Sequence, residues 1–131
     1  MSIFLLALGG GLGAVARYVL GLAIMRRYPH PPLPAAMLTV NLIGALGLGL
    51  FWGSYVQHLF VDAYADKWFL GIAVGFFGAF TTFSTFSMEA MELIREREYK
   101  TALAYIALSI FGSILTFALG YLAGMAMVHK Q

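Results

Sequence analysis

The chain has 131 residues, of which 61% are hydrophobic, 11% are charged and none is cysteine, and its formal net charge is +2. Soluble domains usually carry about 25% charged residues, so this composition excludes an ordinary soluble domain, a disordered chain and a nucleic-acid binder. The lack of cysteine excludes disulfides, thiol catalysis and thiolate metal sites. The class that remains is an integral membrane protein, embedded in a lipid bilayer.

Four apolar stretches are long enough to cross a membrane as helices, which takes about 20 residues each. They cover approximately residues 3–24, 35–56, 68–94 and 102–128. All four prolines lie in the first connection, where they end the first helix. Since no connection is long enough to form a domain, we predict a single all-α transmembrane domain over residues 1–131.

The basic residues are distributed unequally between the two sides that four spans define. The N-terminus, the second connection and the C-terminus share one side, which carries Lys67 and Lys130. The first and third connections share the other side, which carries Arg26, Arg27, Arg95, Arg97 and Lys100. Because basic residues favour the cytoplasm, this count of 2 against 5 leans towards a cytoplasmic location for the first and third connections.

Four glycine pairs have the GxxxG spacing that is typical of closely packed transmembrane helices. They are Gly9/Gly13, Gly49/Gly53, Gly71/Gly75 and Gly120/Gly124. Any single pair can serve to pack helices within one chain. Four pairs in a chain of this length favour an oligomer.

The segment of residues 75–86, GFFGAFTTFSTF, places glycines and four hydroxyl residues in the middle of the third span. Glycine and β-branched residues lower helix propensity, so one interpretation is a break in the helix. A break frees backbone carbonyls, which are tolerated in a membrane when they line a cavity or bind an ion such as a hard cation. The other interpretation is an unbroken helix whose hydroxyl groups bond to the preceding turn.

Several side chains in the spans can serve an anion as donors. Phe83 and Phe86 share a helix face, and the edge of a phenyl ring is electropositive, although ordinary core packing also explains them. The Asn41 amide is either a helix–helix hydrogen bond or a donor in a pore. A hydroxyl stripe along the fourth span is a plausible anion path; it consists of Tyr105, Ser109, Ser113 and Thr116.

Two charged residues of the spans have two interpretations each. Arg17 either reaches the interface with its long side chain or attracts anions into a vestibule. Glu89 lies at a pore mouth or at a helix terminus. The other three spans contain no carboxylate, which argues against a proton-coupled exporter, and no enzyme motif such as HExxH, GxSxG or a P-loop is present.

Three blocks of this sequence resemble the Fluc/CrcB family of small fluoride channels. The first is residues 9–18 (GGGLGAVARY), the second is residues 38–44 (LTVNLIG), and the third and most specific is residues 75–86, ending TTFSTF. Length and span number match as well, so the resemblance covers essentially the whole chain.

The resemblance implies a dimer of antiparallel subunits in the cell (inner) membrane, with a break in each third helix. It implies a structural sodium ion at the dimer centre, held by backbone carbonyls that match Gly78 and Thr81. The matching pore residues are Asn41, Phe83, Phe86, Ser109 and Ser113, with Tyr105 as their aromatic neighbour. Arg17 matches a vestibule arginine and Glu89 the acid after the signature.

The expected function is passive, fluoride-selective export, which is not an enzymatic activity. The alternatives are a dual-topology multidrug exporter, which would need an acid in the first span where this chain has Arg17, and a structural subunit of a larger membrane complex. The basic-residue count departs from the balanced connections that insertion in both orientations requires.

Overall fold

The computed structural model describes residues 2–31, 33–55 and 63–129, and these residues form helices and short connections. We label the helices α1 (Ser2–Arg27), α2 (Ala35–Ser54), α3 (residues 67–80), α4 (Phe83–Arg95) and α5 (Tyr99–Val128). A single turn of 3₁₀ helix, Ala63–Ala65, precedes α3. Within the described part of the chain there is no β-strand, as the sequence predicts.

Four helical stretches are long and apolar enough to cross a membrane, which confirms the prediction of four spans. Three are α1, α2 and α5, and the fourth is the combined stretch Lys67–Arg95, formed by α3 and α4. Helix α1 extends beyond its predicted end to include Arg26 and Arg27, because long basic side chains at a helix end can reach the polar interface. The predicted end of the second span, at Val56, lies outside the described residues, as does most of the second connection.

Helix α1 packs directly on α3 through glycines. A Cβ atom at Gly9 would collide with the carbonyl oxygen of Gly71, and one at Gly13 would collide with that of Phe76. These contacts advance in the same direction along both helices, so α1 and α3 run parallel. Backbones approach this closely only where side chains are absent.

Helix α2 packs on α5 in the same way. Cβ atoms at Gly49 and Gly53 would meet the carbonyl oxygens of Phe117 and Tyr121. In return, Gly120 and Gly124 of α5 lie against the backbone of α2 at Leu46 and Leu50. These two helices are therefore also a parallel pair, and the fold consists of two glycine-packed pairs.

The glycine pairs do not support the expected oligomer, which the structure of one chain does not test. All four GxxxG pairs meet helices of the same chain: Gly9/Gly13 face α3, Gly71/Gly75 face α1, and Gly49/Gly53 and Gly120/Gly124 face each other's helices. The spacing shows that a helix face permits close approach, but it does not show which helix approaches. The expected dimer therefore stays a prediction and needs other support.

Most of α3 is not a regular α-helix, because residues Leu70–Phe77 form a π-helix. π-helical segments are rare and occur often at functional sites. This one lies where Gly71 and Gly75 contact α1. Helix α3 starts at Asp66, whose Oδ1 accepts a hydrogen bond from the Phe69 N–H at 2.7 Å.

The connection between α4 and α5 is a tight turn centred on Arg97. The Arg97 N–H donates to the Ile94 carbonyl at 3.1 Å, and the Glu98 N–H donates to the Leu93 carbonyl at 2.9 Å. This is the Schellman pattern, in which the residue after the helix cap takes a left-handed conformation and is usually glycine. Here Arg97 adopts it, with φ of 62°.

Candidate ion-conduction site

The break predicted in the third span is present between α3 and α4. Thr81 and Thr82 are both extended, with ψ of 156° and 117°, so the helix stops after Phe80 and begins again at Phe83. An extended backbone in a spanning segment leaves peptide groups without their helical partners, and these groups need others.

Asn41 supplies those partners for Thr82. Its Nδ2 donates to the Thr82 carbonyl at 3.2 Å, and its Oδ1 accepts from the Thr82 N–H at 2.9 Å. The side-chain amide thus pairs with both polar groups of one residue in the break. Of the two sequence interpretations, the contact between helices is present, and Asn41 also lines the groove described below.

Thr82 begins α4 as well. Its Oγ1 accepts a hydrogen bond from the Thr85 N–H at 3.3 Å, which is the role of a helix N-cap, and the Thr82 hydroxyl donates to Thr85 Oγ1 at 3.1 Å. Sequence analysis did not single out Thr82. The only available signal was its residue type, since threonine is a common helix N-cap; the glutamate or glutamine three residues later that completes a capping box is replaced by Thr85.

The bonds of Thr82 leave carbonyls without their regular partners. In an unbroken helix the Thr82 N–H would bond to the Gly78 carbonyl and the Thr85 N–H to the Thr81 carbonyl. Here the first N–H donates to Asn41 and the second to the Thr82 hydroxyl. The carbonyls of Gly78 and Thr81 are therefore available as oxygen ligands, which a hard cation takes.

A Cβ atom built at Gly78 would meet nothing within 4 Å, so the side-chain face of this glycine is open. The residues that the structure describes contain no cluster of three His, Asp or Glu side chains that could hold a metal ion. The sodium ion implied by the resemblance would need oxygen donors, and the two backbone carbonyls at the break are of that kind.

A groove of about 550 Å³ runs beside the break, between α2, α4 and α5. Its polar lining consists of Asn41, Thr81, Thr82, Ser109 and Ser113. Phe83, Phe86 and Phe117 contribute aromatic rings, and aliphatic residues of α2 and α5 complete the wall. The structure therefore brings five of the seven predicted pore residues together.

Ser109 stands out because its hydroxyl is buried without a hydrogen bond. The residue is 8% exposed, and its Oγ has no partner of acceptable geometry among the described residues. Tyr105 lies one helical turn before it, and the Tyr105 hydroxyl, which donates to Glu89, also interacts with the Ser109 side chain outside strict hydrogen-bond geometry. An unpaired buried hydroxyl usually carries a penalty of about 1–3 kcal/mol, so the Ser109 hydroxyl, which has no well-formed bond, can donate to an anion.

The other two predicted pore residues lie elsewhere. Tyr105 is fully buried behind the groove, where its hydroxyl donates to Glu89 Oε2 at 2.6 Å and its ring lies 5.5 Å from that of Phe86. The Thr116 hydroxyl donates to the Gly112 carbonyl of its own helix at 2.9 Å. Hydroxyl groups on a helix often bond back to the preceding turn in this way.

The aromatic residues form a connected series from the groove to Glu89. The ring centroids of Phe83 and Phe86 are 5.8 Å apart, and Phe86 then contacts Tyr105. Glu89 lies in the middle of α4, so the interpretation that it marks a helix terminus is wrong. Position in the chain did not reveal its partner, because Tyr105 is sixteen residues away on the next helix.

Arg17 lies in a second, smaller crevice of about 250 Å³ on the other side of the break. The crevice is lined by Thr85 at the start of α4, by Tyr18 and Met25 of α1, and by Met37 of α2. Arg17 is half-buried there. It is thus close to the break, but it does not line the groove that contains Ser109.

The fold and the site define a class of protein: a multi-pass membrane protein with a polar, partly unsatisfied groove inside its spanning region. The CrcB-like protein family (camphor resistance, CrcB) matches residues 4–121 of the chain. The match covers well over half of the sequence and includes the break and the groove. The chain belongs to the CrcB-like protein family.

Curated relatives of the chain carry the name of an ion channel. The fluoride-specific ion channel FluC 1 of Halalkalibacterium halodurans is 54% identical over 121 residues, which cover 92% of this chain and 95% of that protein. FluC 1 of a Bacillus cereus strain is 37% identical over 97% of this chain and 90% of its own length. FluC of an Enterobacter species is 42% identical over 87% and 86%. Ion channels are not enzymes, in agreement with the sequence-based expectation.

Proposed function

We propose that the chain forms a fluoride-selective channel that lets fluoride leave the cell passively and so lowers its cytoplasmic concentration. The proposal takes the ion from the names of the relatives. The observation that carries it is the groove at the break, in which the unpaired Ser109 hydroxyl, Asn41 and two phenylalanine rings face one cavity.

The groove offers what a small anion requires in place of water. Hydroxyl and amide hydrogens of Ser109, Ser113 and Asn41 can donate to it, and the positive edges of Phe83 and Phe86 can face it. Since its donors are few, a larger halide, which binds each donor more weakly, gains less from them than fluoride does. Transport then follows the electrochemical gradient, and no covalent bond changes.

Two copies of the chain pair in antiparallel orientation in this proposal, as the resemblance implies. Phe83 lies at the break with 79% of its surface exposed, so its ring is accessible to a second copy. The exposed groove also leaves polar groups facing lipid, where they are unfavourable. A second copy over this face would cover both the ring and the groove.

A structural sodium ion at the centre of the pair completes the proposal. The carbonyls of Gly78 and Thr81 from both subunits would hold it, and it would supply positive charge between two helix breaks. The redirection of the Thr82 and Thr85 N–H groups away from these two carbonyls supports this placement. The role left to Arg17 is to attract anions into the vestibule, and Glu89 would hold Tyr105 behind Phe86.

The deciding experiment measures ion release from liposomes that contain the purified protein in a cell-membrane lipid mixture. We expect fluoride to leave and chloride to remain when the membrane voltage is clamped. Phe83→Ile and Phe86→Ile should each slow fluoride release, because an aliphatic side chain has no positive ring edge. Unchanged release by both variants would contradict the ring-edge mechanism, and retention of fluoride by the unaltered protein would contradict the channel itself.

The protein's size in detergent serves as the control, since the variants must remain dimers for their rates to be compared. Release should also depend on sodium during purification if the ion is structural. A proton-driven release of organic cations would instead support a multidrug exporter, and release of nothing would support a structural subunit.

A further inference from the structure

One face of α2 meets both extended residues of the break. Asn41 and Gly44 are three residues apart, so they lie on the same side of the helix. Asn41 holds Thr82 through two hydrogen bonds. Gly44 is buried and does not line the groove, and it lies against Thr81. The break is therefore in contact with α2 through one polar side chain and one missing side chain.

The missing side chain of Gly44 leaves the space that the methyl group of Thr81 occupies. A Cβ atom built at Gly44 would lie 2.5 Å from Thr81 Cγ2, well inside the optimal carbon separation of about 3.5–4.0 Å. The methyl group cannot easily turn away, because a β-branched side chain is stiff and the Thr81 hydroxyl donates to the Phe77 carbonyl at 3.0 Å. A side chain at position 44 would therefore push the break away from α2.

The direction of the Thr81 carbonyl follows from the hydrogen bond of the next residue. The peptide bond between Thr81 and Thr82 is trans, since the described residues contain no cis peptide bond. In a planar trans peptide, the C=O and the N–H point in opposite directions. The Thr82 N–H points to Asn41 Oδ1 at 2.9 Å, so the Thr81 carbonyl points away from α2. A break displaced from α2 would lose this hydrogen bond and, with it, the fixed direction of the carbonyl.

We infer that Gly44 is a positioning residue for the Thr81 carbonyl. Its missing side chain lets the break lie close enough to α2 for Asn41 to hold Thr82, and that hydrogen bond turns the Thr81 carbonyl away from α2. Gly44 acts only through the backbone of the break. The consequence for ion binding rests on the proposed sodium site, in which the Thr81 carbonyl is a ligand.

Hydrogen exchange at the Thr82 amide tests the positioning without reference to any ion. Nuclear magnetic resonance of the full chain, with isotope-labelled threonine and in detergent micelles, follows this amide. In Gly44→Ala we expect the Thr82 amide to exchange about tenfold faster or more, because its hydrogen bond to Asn41 is weakened. An unchanged exchange rate would overturn the inference.

A second substitution separates positioning from general damage to packing. Thr81→Ser removes Cγ2, the atom that a Cβ at position 44 would meet first, and keeps the hydroxyl that donates to Phe77. In Gly44→Ala combined with Thr81→Ser, we expect the Thr82 amide to exchange within about twofold of its rate in Thr81→Ser alone. Exchange as fast as in Gly44→Ala would show that the methyl group is not the cause, and the inference would be wrong. If Gly44→Ala alone does not fold, folding of the double variant supports the inference and its failure to fold overturns it.

Gly47→Ala is the matched control on the same helix. A Cβ atom at Gly47 would lie 2.6 Å from Cε1 of Phe77, which is at the far edge of a ring that can shift. The added volume is the same, but it does not meet Thr81, so the Thr82 amide should exchange at the unaltered rate. Faster exchange in this control would mean that any added volume on α2 disturbs the break, which would overturn the specific role of Gly44.

Sodium binding is measured separately, as the rise in the thermal unfolding midpoint when sodium replaces a bulky organic cation. We expect this rise in the unaltered protein and in the double variant, and we expect Gly44→Ala to lose most of it. A full sodium response in a Gly44→Ala protein whose Thr82 amide exchanges faster would overturn the link between Gly44 and the carbonyl.

The inference and the proposed function fail separately. If no variant responds to sodium but the exchange rates follow expectation, the sodium site is wrong and the positioning of the break by Gly44 stands. If the unaltered protein retains fluoride in liposomes, the channel function is wrong, and the exchange rates still decide the role of Gly44.

Discussion

The glycine-packed helix pairs and the groove beside the break both depend on missing side chains, but with opposite results. In the pairs, glycines of one helix lie against carbonyl oxygens of the other, as Gly53 does against Tyr121, and the backbones exclude everything else. At the break, the side-chain face of Gly78 is open, and the Ser109 hydroxyl has no well-formed hydrogen bond among the described residues. The first arrangement provides stability, and the second leaves room and donors for a ligand.

The two regions of this membrane protein therefore use different groups for different roles. Where two helices pack against each other, the contacts are made by the backbone and by small residues. Where the chain contains an unsatisfied hydroxyl, it lines a cavity. The predictions below test whether packing and conduction can be altered independently.

The largest effect on stability should come from Gly120→Ala. The new Cβ would collide with the carbonyl of Leu46, so α2 and α5 must separate, at a cost of about 1–3 kcal/mol. Unfolding by denaturant in detergent micelles measures this loss. Gly11→Ala is the matched control, because a Cβ at Gly11 meets nothing within 4 Å; its stability should not fall. Similar losses in both variants would contradict the packing account.

Asn41→Ala should affect both regions. It leaves the N–H and carbonyl of Thr82 unpaired in the break, which should lower the free energy of unfolding by about 1–3 kcal/mol and abolish fluoride release. Ser87→Ala is the control, since that hydroxyl only donates to Phe83 of its own helix. Full release by the Asn41 variant would show that the break does not depend on this amide.

Ser109→Ala and Thr116→Val separate conduction from packing most sharply. The Ser109 hydroxyl is unpaired, so its removal should leave stability unchanged or slightly higher while fluoride release falls. The Thr116 hydroxyl is bonded within α5, so Thr116→Val should leave release unchanged. Liposome release and denaturant unfolding on the same samples check both statements. The reverse order of release rates would contradict the proposed path.

The smallest effect concerns the turn outside both regions. Arg97→Gly should raise the free energy of unfolding by about 1 kcal/mol, because glycine adopts the left-handed conformation without steric penalty. The rate of fluoride release from liposomes should stay the same. A destabilised variant would show that the arginine side chain contributes a contact that outweighs the strain.

The number of spans and the break could be predicted because they depend on local properties. Apolar length defines the spans, and glycine with β-branched residues at the third span weakens the helix. The helix that each glycine pair contacts could not be predicted, because the GxxxG spacing does not indicate which helix packs against it. The π-helix of Leu70–Phe77 left no recognisable pattern in the sequence either.

The residue types of the site could be predicted from the sequence, but the contacts that these residues make could be predicted less well. Asn41 and Ser109 could be selected because a polar side chain in a membrane span needs a hydrogen-bond partner. Phe83 could be selected because it shares a helix face with Phe86. The stripe on α5 was predicted as one path, but the Thr116 hydroxyl donates to a backbone carbonyl of its own helix. Hydroxyl groups on a helix can generally form such a bond with the preceding turn. The bond between Tyr105 and Glu89 joins two helices, and spacing along one helix does not reveal it.

The pair of hydrogen bonds between Asn41 and Thr82 has a mechanical consequence. Two bonds from one planar amide to one residue fix both distance and orientation, so α2 and the break move as one body. A chain interruption in a helix commonly serves as a hinge, yet this one is clamped at its centre. Bending of α3 against α4 about Thr82 would have to break both of these bonds, so the amide of Asn41 opposes a hinge at this position.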